Sequence, residues 1–134
     1  MCGIIAGISP KIVETLLLGL KQLQNRGYDS AGITTINDNN FQTTKYASGE
    51  NSALEKLDKE REKHINAFIG IAHTRWATHG PKTDINSHPH MSQLKNFVLV
   101  HNGIIENYLK LKKELEKNEI FCVSETDTEV IVNT

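Results

Sequence analysis

The sequence predicts a protein of the α+β class, and two observations carry that prediction. Short apolar runs rich in β-branched residues alternate with segments whose apolar residues recur at helical spacing. Two of these runs, residues 31–36 and 41–47, flank the turn-forming residues 37–40, which is the signature of a β-hairpin. A hairpin combined with separate amphipathic helices is typical of α+β proteins.

The first half of the chain predicts a strand and two helices around this hairpin. Residues 3–8 are apolar and β-branched, and they predict a buried strand. Ser9 and Pro10 supply a helix N-cap and a first helical residue, and the helix is expected to end near Gly27. A second helix begins at Ser52, three residues before a glutamate that completes a capping box.

The second half predicts two strong strands, at residues 67–72 and 97–100. The polar stretch 73–96 between them is too long for a routine connection, so it predicts a lid, a binding loop or disorder. Beyond it the pattern predicts a helix over 104–118, a strand over 119–123 and a further helix from Thr126. Because the sequence stops inside that helical pattern, we expect the domain, residues 2–134, to be truncated at its C-terminal end.

Composition indicates a globular protein without a membrane or nucleic-acid partner. The chain has 134 residues, the size of one domain, of which 38% are hydrophobic and 23% charged. A net charge of −1 gives no attraction to nucleic acid, and no apolar run reaches the ~20 residues of a membrane span. The first residues lack the basic segment of a signal peptide and two cysteines fit a reducing compartment, so we expect a cytoplasmic protein.

Cys2 directly follows the initiator methionine. Removal of Met1 would leave an N-terminal cysteine whose thiol and α-amino group have reference pKa values of about 8.5 and about 8. The amine would then act as the base for its own thiol through a bridging water, so one residue supplies nucleophile and base. The alternative is a chance cysteine at this position. Cys122 lies in an apolar run and is expected to be a small buried residue.

Five segments together carry a resemblance to a known family. They are MCGI at residues 1–4, RGYDSAG at 26–32, HTRWATHG at 73–80, HNGIIEN at 101–107 and SETDTE at 124–129. In this order and spacing they resemble the glutaminase domain of glutamine–fructose-6-phosphate aminotransferases, over nearly the whole chain. The resemblance implies the four-layer α/β/β/α sandwich of N-terminal-nucleophile hydrolases and an enzyme that releases ammonia from L-glutamine.

The resemblance also implies roles for individual residues. The Asn102 side-chain amide and the Gly103 backbone N–H would hold the oxyanion formed when Cys2 attacks. Arg75 would grip the glutamine carboxylate with its planar pair of donors, and Asp127 would pair with the α-ammonium. The simpler alternatives are a turn for the Asn-Gly pair, a surface salt bridge for the arginine and a helix N-cap for the aspartate.

Three more residues of the HTRWATHG segment gain roles in the same way. Thr78 and His79 would add hydrogen bonds to glutamine. Trp76 would belong to a loop that closes over glutamine, excludes water and gates the passage of ammonia. The alternative for this tryptophan is an ordinary place in the core.

The histidines raise a competing interpretation, a metal site. Five of them fall within thirty residues: His73, His79, His88, His90 and His101. They lack the four-ligand pattern, with cysteine or carboxylate at set spacing, that zinc sites use. The sequence therefore predicts neither a metal nor another cofactor.

Tyr28 bears on the branch of the superfamily. The phosphoribosyl-amine-forming branch usually has Gln at this position, and the asparagine-forming branch has Pro. The Tyr found here resembles the hexosamine branch. The implied role of the ammonia is conversion of fructose 6-phosphate to glucosamine 6-phosphate, with a sugar-isomerase domain or chain as partner because this chain contains none. The alternatives are a glutaminase of the phosphoribosyl-amine-forming branch, and a non-catalytic remnant or binding subunit. Whether the chain forms an oligomer is left open.

Overall fold

A four-stranded antiparallel sheet lies at the centre of the computed structural model, which describes residues 2–24, 28–76 and 80–134. Its strands are β1 (Gly3–Ile8), β2 (Ser30–Asn37), β3 (Asn40–Ala47) and β4 (Ile69–Arg75). They lie in the order β1-β4-β2-β3, and each pairing is antiparallel. Because β4 lies between β1 and β2, its C-terminal end is brought beside the start of β1.

Two helices cover one face of this sheet. Helix α1 (Ile12–Leu23) packs on β1 and β4, and α2 (Ala53–Lys59) packs on β2 and β3. A short 3₁₀ helix, Arg61–His64, follows α2. The core between helices and sheet is formed by fully buried aliphatic side chains, the largest of which are Ile12, Leu16, Leu20, Ile33 and Leu57. The predicted α+β class is confirmed.

The opposite face of the sheet is partly covered by the C-terminal half of the chain, which contacts β2, β3 and β4 through residues 85–90. A two-stranded antiparallel sheet, β5 (His90–Met91) and β6 (Val98–Leu99), packs against α4 (Asp127–Val132), and α3 (Tyr108–Lys117) packs on α4. The layers thus follow one another as helix, sheet, sheet and helix. In the described ranges, no helix is long and apolar enough to cross a membrane.

Several predicted elements are confirmed to within one residue of their expected boundaries. The hairpin turns through Asp38 and Asn39, whose φ angles of 48° and 62° give the left-handed pair that short hairpin loops require. Ser52 caps α2, and the predicted capping box with Glu55 is present in both directions. Thr126 caps α4, with its side chain accepting from the backbone N–H of the third helical residue.

The predicted start of the first helix is wrong by two residues. Ser9 does not cap α1: its Oγ accepts from the Lys11 backbone N–H at 3.1 Å and closes a tight turn through Pro10, after which the helix begins. The described part of the helix ends at Leu23, and the predicted end near Arg26 and Gly27 lies outside the described residues.

The strands are confirmed in kind but differ in extent and burial. Strand β1 packs one of its faces on α1, and Ile4 and Ile8 are exposed on the other face. The prediction that this strand is buried is therefore wrong for half of its residues. The strand predicted over 67–72 begins two residues later and continues through Arg75, and that predicted over 97–100 keeps only two residues.

Three predictions for the second half are wrong. The helix predicted over 104–118 begins only at Tyr108. The stretch 73–96 is not one long loop in its described part, because it completes β4, contains β5 and buries residues 86–90. Residues 119–123 form no strand, since the Glu119 and Ile120 N–H groups donate to carbonyls of α3 and the next bonds go to side chains. The Phe121 N–H donates to Gln93 Oε1 at 2.7 Å, and the Val123 N–H donates to Glu129 Oε1 at 2.8 Å.

Candidate active site

Cys2 lies at the N-terminal end of β1, beside the C-terminal end of β4. The register pairs Gly3 with Thr74, and the Gly3 N–H donates to Thr74 Oγ1 at 3.0 Å. The Cys2 thiol therefore lies next to Trp76, whose backbone N–H donates to Sγ at 3.1 Å. A half-buried thiol held by a backbone donor at a strand end has the rigid support that a nucleophile needs.

Asn102 reaches the same point from the turn after β6. Its Nδ2 donates to the backbone carbonyl of Cys2 at 3.2 Å, and its Oδ1 lies 2.7 Å from His73 Nε2. Gly103 follows with φ of 156°, and a Cβ added there would lie 2.8 Å from His101 Nε2. Both features favour glycine at this position. The Asn-Gly pair thus lies beside the thiol.

Arg75 is the cationic group of the site. It is the last residue of β4, it is 4% exposed, and its Nη1 donates to the Pro81 carbonyl at 3.5 Å. Burial lowers the pKa of Arg75, and the negative charges of Asp29, a Cys2 thiolate and Asp127 oppose that shift. The guanidinium remains charged because arginine does not deprotonate in proteins. The surface salt bridge considered from the sequence is wrong, since this side chain is buried.

Asp127 is the first residue of α4 and is held by the turn that precedes α3. Its Oδ2 accepts from the Ile105 backbone N–H at 2.8 Å, and its side chain is buried. The helix N-cap is Thr126, so the capping role considered for Asp127 belongs to its neighbour. The carboxylate also lies in the first helical turn, where the helix dipole favours a negative charge.

These residues surround one cavity of about 510 Å³. A volume of this size is typical of small-molecule sites, which span about 300–1,000 Å³. The predicted residues on its wall are Cys2, Arg75, Trp76, Asn102, Gly103 and Asp127. The structure therefore brings together residues from four of the five segments, separated by up to 125 positions between Cys2 and Asp127. Thr78 and His79 lie outside the described residues.

Two buried histidines, His73 and His88, lie on the wall of the cavity. The rings of His73 and His88 stack with centroids 4.2 Å apart, and His88 meets His90 edge-on at 4.7 Å. Burial lowers the pKa of His73 to about 4, against the hydrogen bond with Asn102, and lowers that of His90 to about 3. Burial and the adjacent His73 hold the pKa of His88 far below its ordinary value. All three rings are neutral near pH 7, so they add no positive charge to compete with Arg75.

Lys45 fixes the segment that carries these histidines. Its Nζ donates to the carbonyl oxygens of Ile85, Ser87 and Pro89 at 3.2, 2.8 and 3.1 Å. Burial lowers the pKa of Lys45 to about 8, and Glu129 and Asp84 oppose this shift. In these three hydrogen bonds, the lysine ammonium donates to backbone carbonyl oxygens and not to a carboxylate.

Sequence reasoning assigned no active-site role to several residues on the cavity wall, namely His73, His88, His101, Ile104, Thr126 and Thr128. His73 carried one usable signal. It precedes Arg75 by two positions on a strand, and residues two apart point to the same face. His88 had no local signal, because its place depends on a contact with a distant strand.

Two other predictions about side chains have clear outcomes. Cys122 is half-buried and not fully buried, it lies away from the cavity wall, and burial raises its pKa to about 11. Within the described part of the chain, no group of three His, Cys, Asp or Glu side chains is placed to hold a metal ion. The stacked histidines instead make ring contacts with one another.

Comparison with known proteins places this site in a family context. Residues 58–134 match the family described as "Glutamine amidotransferase domain". The glutamine–fructose-6-phosphate aminotransferase (isomerizing) of Caldanaerobacter subterraneus subsp. tengcongensis is 48% identical, and the match covers 99% of this chain and 22% of that protein. The protein of the same name from Fusobacterium nucleatum is 47% identical, covering 98% of this chain and 21% of that one. The chain spans about a fifth of the length of these curated relatives.

Solved structures show the same fold. The glutamine phosphoribosylpyrophosphate amidotransferase from B. subtilis, complexed with ADP and GMP, superposes with a TM-score of 0.70 at 26% identity, covering 97% of this chain and 27% of that one. An allosteric regulatory enzyme of purine biosynthesis superposes with a TM-score of 0.78 at 24% identity, covering 98% of this chain and 28% of that one, and this likeness concerns the fold alone. The expected N-terminal-nucleophile hydrolase fold is confirmed.

Proposed function

Because the chain belongs to the family of glutamine amidotransferase domains, we propose that it hydrolyses the side-chain amide of L-glutamine with Cys2 as the nucleophile. The cavity carries the proposal, since the thiol, the Asn102 amide and the Arg75 guanidinium all lie on its wall. A thiol, an amide donor and a cation in one small-molecule cavity suit attack on the amide of an amino acid. Residues 2–134 form the glutaminase domain in this proposal.

The reaction begins after removal of Met1 frees the α-amino group of Cys2. This amine takes the thiol proton through a bridging water, and Sγ attacks the amide carbon of glutamine to form a C–S bond. Asn102 Nδ2–H and the Gly103 backbone N–H stabilise the oxyanion. The C–N bond then breaks, the ammonium of Cys2 returns its proton to the leaving nitrogen, and ammonia departs. Water hydrolyses the thioester to glutamate and restores the thiol.

Selection of glutamine rests on groups that recognise an amino acid. Arg75 binds the α-carboxylate through two parallel donors, and Asp127 binds the α-ammonium. Both side chains are buried and opposite in charge, which suits a zwitterion. Thr78 and His79, outside the described residues, add hydrogen bonds. Trp76, whose backbone N–H contacts the thiol and whose side chain is half exposed, closes over glutamine and gates the passage of ammonia.

The ammonia supplies the amino group for the conversion of fructose 6-phosphate to glucosamine 6-phosphate. This proposal is supported by the 48% identity with the aminotransferase that acts on fructose 6-phosphate, against 26% with the phosphoribosylpyrophosphate amidotransferase. It requires a sugar-isomerase domain or chain as partner. Both cysteines are free, which fits a reducing compartment, so we place the reaction in the cytoplasm.

Glutamate release from glutamine tests the proposal directly. We expect Cys2→Ala to abolish turnover because the nucleophile is removed, and Cys122→Ala to keep it because that thiol lies away from the cavity. The assay is run with and without a sugar-isomerase chain. A folded parent chain that releases no glutamate under either condition would support a non-catalytic binding subunit, and turnover that survives Cys2→Ala would reject this cysteine as nucleophile.

A further inference from the structure

The orientation of the Asn102 side-chain amide follows from its two partners. The Cys2 carbonyl oxygen only accepts hydrogen bonds, so the atom 3.2 Å away must be the Asn102 nitrogen. The amide oxygen is then the atom 2.7 Å from His73 Nε2, and because an amide oxygen only accepts, that ring nitrogen must carry a proton. The contact is therefore a hydrogen bond from His73 Nε2–H to Asn102 Oδ1.

The state of the His73 ring agrees with this assignment. Its Nδ1 is buried and has no hydrogen-bond partner among the described residues, which suits a nitrogen without a proton. Burial lowers the pKa of His73 to about 4, against the hydrogen bonds with the Asn102 side chain and the His101 backbone, so the ring is neutral near pH 7. One neutral tautomer, protonated on Nε2, satisfies both observations.

The ring itself is held from several sides. His73 lies in the interior of β4, and its strand pairs with both neighbours, so its backbone is fixed. One face of the ring stacks on His88 at 4.2 Å, with 15° between the planes. His88 in turn contacts His90, whose Nε2 lies 3.0 Å from Thr126 Oγ1. A ring so packed has little freedom to turn.

Asn102 needs such a support because the bond to the Cys2 carbonyl holds only the nitrogen end of its amide. The residue is exposed, and the terminal torsion of an asparagine is broad and nearly two-fold, so nitrogen and oxygen can exchange places. With the oxygen turned toward the thiol, a lone pair would face the developing oxyanion and destabilise it. One Nδ2–H bonds the Cys2 carbonyl, and the second is the donor that the oxyanion requires.

We propose that His73 is a positioning residue, whose Nε2–H fixes the Asn102 amide with its nitrogen beside the reacting thiol. The inference rests on the proposed glutaminase function. It assigns His73 no proton transfer to substrate, because its one N–H is used by Asn102. It also predicts which replacements work, since only a side chain that places a donor where Nε2 lies retains the orientation.

Two amide substitutions separate positioning from general packing. The amide nitrogen of glutamine reaches the place of Nε2, whereas that of asparagine reaches only the place of Nδ1. We expect His73→Gln to stay within about threefold of the parent kcat, and His73→Asn to lose about 10–10²-fold, with KM for glutamine little changed in both, since an oxyanion donor acts in the transition state. The pH profile of kcat should keep its shape. Equal losses in the two variants, or a lost limb of the profile, would overturn the inference.

A double-mutant cycle with Asn102→Ala tests the route of the effect. Adding His73→Asn to Asn102→Ala should cost nothing further, and a full additional loss would show that His73 does not act through Asn102. Thermal unfolding shows whether each variant is folded. The contact also has a readout without turnover: the NMR signals of the Asn102 side-chain amide should shift in His73→Asn and stay near the parent's in His73→Gln. A parent without glutaminase activity would reject the proposed function, while unmoved NMR signals would reject the positioning inference.

Discussion

At the scale of single residues, the site separates a few charged groups from a neutral wall. Arg75 and Asp127 carry opposite charges, both buried, on the wall of a cavity that also holds the thiol. The histidines behind them are neutral because burial lowers their pKa values. A zwitterionic ligand therefore meets one cation and one anion from this wall, beside the neutral rings of His73 and His88.

Arg75→Lys tests the grip on the carboxylate. A lysine keeps the charge but replaces the planar pair of donors with a single point charge, so we expect KM for glutamine to rise about tenfold or more with kcat less affected. Steady-state kinetics of glutamate release measure both constants. Arg61→Lys is the matched control, since Arg61 is an exposed arginine paired with Asp58 and should tolerate the change. An unchanged KM in Arg75→Lys would contradict a two-pronged contact.

The residues that short motifs identified were those whose chemistry is local. Cys2 was identified from its position directly after Met1. The Asn-Gly pair and Arg75 were identified because their segments occur together with the other family segments in the same order and spacing. His73 was not assigned its contact with Asn102, because 29 positions separate the two residues and no pattern in either segment encodes their distance. Only the packing of the turn after β6 against the end of β4 brings them together.

At the scale of elements, a glycine lets two layers meet. Gly32 on β2 lies between His73 on β4 and Lys45 on β3, and directly opposite residues point to the same face. Because Gly32 has no side chain, the His88 carbonyl approaches the sheet there, and the His88 ring reaches His73 beside it. Lys45 binds the carbonyls on either side of His88. Stacking of the histidines thus depends on the missing side chain at Gly32.

Gly32→Ala should place a methyl group in the space that the His88 carbonyl now occupies. The new Cβ would overlap the His88 carbonyl oxygen and lie 2.6 Å from the Lys45 Cβ, so backbone must move. We expect the free energy of unfolding to fall by about 1–3 kcal/mol or more, as for other overpacked sites. Urea denaturation measures it. Gly7→Ala is the matched control, because its Cβ would meet only the end of the Ile12 side chain at 3.3 Å and should change stability less. Equal stability in the two variants would contradict the close approach.

Elements governed by local chemistry were predictable, and those governed by distant partners were not. The hairpin turn and the α2 capping box depend on residues two or three positions apart, and both are confirmed. The segment 119–123 has the apolar run of a strand, yet its Phe121 and Val123 N–H groups donate to the Gln93 and Glu129 side chains. Periodicity cannot reveal that a side chain from elsewhere will replace a strand neighbour.

At the scale of the whole molecule, buried histidines couple stability to pH. Four of them, His64, His73, His88 and His90, have pKa values lowered chiefly by burial, to about 4 for the first two and about 3 for the last. His64 bridges two strands of the sheet, with Thr35 and Thr44 at 2.7 and 2.8 Å. Each ring is neutral in the folded chain and takes up a proton on unfolding once the pH is below about 6.5.

The free energy of unfolding should therefore fall as the pH drops from about 6.5 toward 5. The contribution of these rings is fully present above the unfolded pKa and is lost as the pH falls toward the folded values, at about 1.4 kcal/mol per pH unit for each proton taken up. Urea denaturation at pH 7, 6 and 5 measures the slope. His64→Gln removes one titrating group, so it should lower the slope by the contribution of one proton, about 1.4 kcal/mol per pH unit. A slope near zero in this range would contradict neutral buried histidines.

The measurement that tests the central claim most directly is covalent labelling of the whole chain with an electrophilic glutamine analogue, read by intact mass and peptide mapping. We predict loss of Met1 and a single adduct on Cys2, prevented by excess glutamine and absent in Cys2→Ala, while Cys122→Ala is labelled like the parent. A folded chain that retains Met1, or that takes up the analogue equally well without the Cys2 thiol, would contradict the assignment of this cysteine as the nucleophile.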